Sequence, residues 1–127
     1  METAAIIAVV LLASLTVFQV ALAAGAPFGA AAWGGRHAGV LPASLRIASG
    51  VAAVVLYPAI ILLVLVSSGL VATDWLPGAG TTAMWLVTAF FAIGTLANLA
   101  SRSRTERFWA PVSLALAICC AIVARSL

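Results

Sequence analysis

With 127 residues, 65% of them hydrophobic and only 7% charged, the chain is too poor in charge to stay dissolved in water, where a domain of this size carries about 25% charged residues. Net charge is +3, from six arginines and three acids with no lysine. The arginines sit at the ends of apolar runs, where they set membrane orientation, so the basic balance does not indicate nucleic acid.

The apolar runs predict an all-α membrane protein: one four-transmembrane-helix domain with spans near 3–24, 43–66, 83–100 and 109–125. Each run approaches the roughly 20 residues needed to cross a bilayer. The first, Thr3 to Ala24, holds no charge. Ala21-Leu22-Ala23 resembles a signal-peptide cleavage site, but such a peptide needs a positive leading region. Here the early charge is Glu2, so a retained helix is expected.

The segment 25–42 holds Gly25, Pro27, Gly29, Gly34, Gly35, Gly39 and Pro42, which resist one continuous helix. It also keeps Phe28, Trp33 and the alanines 30–32. That mixture predicts an interfacial or shallow re-entrant segment with Trp33 at headgroup level. The second span follows, with Pro42 near its first turn and Pro58 inside it. Pro58 removes a backbone donor, frees the carbonyl of Val54 and predicts a kink. Residues 67–82 form a short connection containing Asp74, Trp75 and Pro77. After the third span, Ser101 to Trp109 reads as a tight charged turn. The fourth span then begins near Pro111 and is a short crosser of about 25 Å.

Five of the six arginines fall in the first and third loops. This places both loops in the cytoplasm of a bacterial cell and both termini outside. Arg125 is left to snorkel to the outer interface. The chain also reads as two similar hairpins. Gln19 precedes Pro42-Ala43-Ser44-Leu45 in one, and Asn98 precedes Pro111-Val112-Ser113-Leu114 in the other. Any such repeat would be parallel.

Two side-chain amides within spans, Gln19 and Asn98, need partners away from water. They are either interhelical glue or the lining of a polar cleft open to the cytoplasm. Arg36, Arg46, Arg102, Arg104 and Arg107, with Trp33 and His37 beside them, are either a topology signal or a site for an anion or lipid headgroup. Arg102 and Glu106 are spaced to pair along a helix. Ser113, Ala117, Cys120, Ala121 and Ala124 make a small-residue stripe on the fourth span, and Gly94, Asn98 and Ser101 make one on the third. Both read as packing faces. Cys119 and Cys120 are adjacent, so they point apart on a helix and read as packing residues.

Catalytic chemistry finds no footing in this pattern. His37 and Asp74 lie on opposite membrane faces, so no Ser-His-Asp triad assembles within one subunit. A lone histidine builds no metal site, and no span carries an ionisable relay. Neither metal nor cofactor is expected.

The stretches Gly25-Ala26-Pro27-Phe28-Gly29 to Trp33-Gly34-Gly35, and Asn98-Leu99-Ala100-Ser101-Arg102-Ser103 through Glu106-Arg107 to Trp109 and Pro111, resemble a group of small four-span membrane proteins common in actinobacteria. These are usually described as hypothetical, so the resemblance implies no activity, substrate or cofactor. It directs interest to the matching positions. Two functional readings follow. One is an accessory or interaction protein whose partners are membrane lipids, a second copy or another membrane protein. The other is a small oligomeric transporter or channel using an inward cleft around Gln19, Asn98, Trp33 and Arg36. An enzyme acting on lipid is a further alternative.

Overall fold

The computed structural model describes residues 1–72 and 80–127. The expectations for Asp74, Trp75 and Pro77 lie outside them. Four helices are long and apolar enough to cross a membrane: α1 (Glu2–Ala23), α2 (Ala43–Ser67), α3 (Gly80–Ala100) and α4 (Arg104–Arg125). The protein is a multi-pass, all-α membrane bundle. Among the described residues there is no β-strand, only an isolated bridge between Phe28 and Gly39.

Helices adjacent in sequence are neighbours in space, and α4 closes the ring against α1. The α3–α4 pairing is the most extensive, while α2 and α3 meet more sparsely. Small residues line the packed faces, and Gly94 of α3 lies against Ser113 of α4. Ala4, Ala5 and Ala8 are buried on α1, and Ser113, Ala117, Cys120 and Ala124 on α4. Without an alkyl tail on these faces the backbones come close, and dispersion supplies the attraction that water would drive in a soluble protein. The stripe expected on α4 therefore faces its own chain, with Ala121 half-buried at its margin. The same face buries Leu116 and Val123, while Ile118 and Ile122 point outward. Ala117→Leu should then lower thermal stability in detergent by about 1–3 kcal/mol, the usual cost of overpacking. Ile118→Leu should change it little. Equal melting of the two variants would mean that this face is loosely packed.

Two helices add detail to the expected spans. In α4 a first helical turn occupies Arg104–Arg107, and the helix resumes at Ala110 after a break at Phe108 and Trp109. The continuous part, Ala110–Arg125, has 16 residues and rises about 24 Å, and the preceding turn extends the helix to Arg104–Arg125. In α2, the residues before Pro58 widen into a π-helical segment, Ala52–Leu56, where the Tyr57 N–H donates to the Ala52 carbonyl. The lost proline donor is thus met by a shift in hydrogen-bond register, and α2 continues through Pro58 to Ser67.

Candidate functional site

The chemistry gathers at the arginine-rich end of the bundle, and it begins where α1 stops. The last turn of α1 leaves carbonyls without helical partners. Arg46, on the first turns of α2, donates from Nε to the Ala23 carbonyl at 3.2 Å. A cation at a helix C-terminus is favourable there. Arg46 is therefore drawn to α1, away from the other arginines with which it was expected to converge.

The segment 25–42 then folds back on the bundle as two 3-10 turns, Gly29–Ala31 and Trp33–Gly35. Its ends are clasped by the Gly29 N–H, which donates to the Gly39 carbonyl at 2.8 Å. Ala32 and Leu41 bury against Leu22, Phe18 and Leu45. Trp33 takes a left-handed conformation with φ 52°, which is uncommon for a bulky residue and holds only where its surroundings fix it. Its indole N–H supplies one such restraint by donating to Ser49 Oγ at 2.9 Å.

The connection between α3 and α4 supplies further restraints. Ser103 is the N-cap of the Arg104–Arg107 turn and accepts from the Glu106 N–H at 3.3 Å. In the usual reciprocal arrangement the glutamate would reach back to the N-cap amide. Here that amide donates to Ser101 Oγ at 3.1 Å, which frees the Glu106 carboxylate. Glu106 is buried, and its Oε2 accepts from the Gly34 N–H at 2.8 Å. Its partner is thus a backbone amide 72 positions away, not Arg102 one turn before it. Ser103 also donates its hydroxyl to the Ala30 carbonyl. These bonds dock the glycine-rich segment onto the α3–α4 connection.

Concavities flank the docked segment. The first is a cavity of about 340 Å³ reaching into the bundle, lined by Gln19, Trp33, Tyr57, Asn98, Glu106 and Trp109 among others.

 A separate apolar groove of about 440 Å³ lies beside it, between Phe18, Pro27, Phe28 and Phe108. Phe18 and Trp109 pack in the cavity wall with ring centroids 4.8 Å apart and planes tilted by 46°. Gln19 Oε1 is buried there and has no hydrogen-bond partner. Asn98 also lines the cavity, but its Nδ2 donates to Ser113 Oγ at 3.0 Å and so ties α3 to α4. Of the two amides, Asn98 acts as glue and Gln19 keeps a free acceptor.

The third concavity is an open depression of about 720 Å³ on the other side of Gly34, formed by Gly34–Arg36 and Ala100–Ser103. Arg36 and Arg102 meet here, 66 residues apart in sequence. Arg104 and Arg107 stay exposed outside it, and Arg107 donates to the Ser101 carbonyl at 3.0 Å. The five-arginine convergence is thereby reduced to two. Trp33, expected beside the arginines, does not line the depression; it bonds Ser49 and lines the cavity instead. His37 is exposed and lines none of the three.

The two hairpins use equivalent residues differently. Ser44 is exposed at the start of α2, whereas Ser113 is buried and bonded to Asn98. Sequence reasoning did not single out Tyr57 or Ser49, and it reached Trp109 only as a position of the resemblance. The Ser103-x-x-Glu106 spacing was a signal that could have found Glu106. No family model, curated protein or solved structure matches the chain.

Proposed function

We propose that this is an accessory protein of a bacterial plasma membrane that holds a phosphate-bearing anionic lipid headgroup at its cytoplasmic end. The observation that carries this reading is the meeting of Arg36 and Arg102 in one depression edged by the backbone of Gly34, Gly35 and Ser101. Arg46 and Arg107 are engaged with carbonyl oxygens. Two guanidinium groups side by side repel until an anion lies between them, and their planar forks suit phosphate oxygens. The arginine distribution supports placing this end in the cytoplasm, where anionic headgroups attract basic residues.

The test is lipid retained through purification. Arg36→Ala/Arg102→Ala should lose most of the anionic lipid that the wild type carries, while Arg125→Ala, at the other end, should keep it. Unchanged retention in the double variant would overturn the proposal.

The unpartnered Gln19 Oε1 favours a second reading, a small oligomeric transporter or channel with an inward cleft. Solute flux in proteoliposomes that Ala52→Trp abolishes would support it over the accessory role.

A further inference from the structure

The 340 Å³ cavity has a chemistry of its own, and it does not depend on the arginine depression. Several donors around it are already engaged. The Trp33 indole N–H is held by Ser49, the Asn98 amide by Ser113 and the Gly34 N–H by Glu106. The Gln19 amide and the Tyr57 hydroxyl can serve as donor or acceptor, but the one charged group among the described lining residues is the Glu106 carboxylate. Gln19 Oε1 is buried without a partner. The Glu106 carboxylate accepts one bond from a neutral amide, although a carboxylate offers about four lone-pair sites. Around these oxygens stand the rings of Phe18, Trp33, Tyr57 and Trp109, whose faces attract cations.

The cavity is also graded along the bundle. Its polar end lies at Glu106 and Asn98. Its apolar end reaches Leu56 and Phe90, the latter about 12 Å deeper by helical rise along α3. Leu56 and Phe90 are themselves exposed on the bundle surface, where α2 and α3 meet sparsely. An amphiphile can therefore reach the cavity from the bilayer without passing the arginines. We infer that this cavity binds an amphiphilic ammonium, its N–H groups donating to Gln19 Oε1 and the Glu106 carboxylate and its apolar body lying toward Leu56 and Phe90. The volume accommodates one ring with a short chain, or the amine headgroup of a lipid whose tails stay in the bilayer.

Three probes of matched shape separate charge from apolar fit: phenylbutylammonium, phenylbutanol and phenylbutyrate. Binding is read by tryptophan fluorescence in nanodiscs of phosphatidylglycerol, which carries no ammonium. The ammonium should bind most tightly and the carboxylate least. Glu106→Gln keeps an acceptor for Gly34 but removes the charge. It should raise the ammonium Kd about tenfold and leave the alcohol nearly unchanged. Gln19→Leu should weaken the ammonium several-fold, and Ala52→Trp, which fills the cavity, should abolish binding of both. Adding phosphatidylethanolamine distinguishes the sources. Competition with the probe assigns the site to a lipid amine, and an unchanged Kd assigns it to a free amphiphilic amine. Ammonium affinity unaltered by Glu106→Gln would overturn the inference. So would preference for the carboxylate, or no binding of any probe to the wild type.

Discussion

Gly29→Ala should be among the most damaging one-carbon changes in the chain. A Cβ at Gly29 would press on the His37 carbonyl and lie 2.7 Å from the Gly39 oxygen. Both obstacles are backbone, and the Gly29–Gly39 hydrogen bond fixes their positions. Gly35→Ala meets a similar barrier. Its φ is +71°, and the added carbon would fall on the Ser103 side chain that docks the segment. Gly34 has the same left-handed backbone, φ +83°, but nothing within 4 Å of an added Cβ. It isolates the conformational cost, about 1 kcal/mol. Adding overpacking, Gly35→Ala should lose about 2–4 kcal/mol; Gly29→Ala, whose backbone is not left-handed, should lose about 3 kcal/mol from overpacking alone, because both obstacles are backbone. Thermal unfolding in detergent gives the comparison. If Gly34→Ala proved as harmful as the other two, backbone conformation alone would control the segment, and its close docking would carry no weight.

The spans were legible because apolar runs of bilayer length leave few alternatives. The start of α4 was not, because Arg104–Arg107 is a polar helical turn and carries no apolar periodicity. Its signature is the N-cap serine with glutamate three positions on, and that spacing lay inside a stretch whose arginines suggested a charged turn. Arginine placement along the chain gives a side of the membrane, not a partner. Arg46 is claimed by the end of α1, and only the three-dimensional approach of α2 to Ala23 reveals it. The return of the segment 25–42 onto the bundle followed from physics, since apolar, glycine-rich backbone at membrane depth must be covered. The direction of Trp33 did not, because it depends on Ser49, 16 positions further on and inside the apolar α2. The cavity wall was equally hidden, since Phe18, Tyr57 and Trp109 come from three different helices.

Glu106→Ala should release the docked segment with a larger effect on local opening than on global stability. The carboxylate is buried and accepts from the Gly34 N–H, the one side-chain bond from the α3–α4 connection to the Trp33–Gly35 turn among the described residues. Removing it leaves that amide without its charged partner, a loss of about 1.5–3 kcal/mol when water stays out. Gly34 is exposed, however, so water can reach the freed N–H and the net loss falls toward the lower end. About 1.4 kcal/mol taken from local opening still multiplies the open population about tenfold. Arg36 gives a direct reading of it, because its side chain is exposed and lies beside the released turn. When opening is fast relative to cleavage, trypsin cuts after Arg36 in proportion to the open form. Glu106→Ala should therefore raise the cleavage rate at Arg36 about tenfold. Glu106→Gln retains an acceptor oxygen for Gly34 and should raise it only slightly. Wild-type rates in the alanine variant would show that the Ser103 and Ser49 bonds hold the segment unaided, and that the buried carboxylate is free to serve the cavity alone.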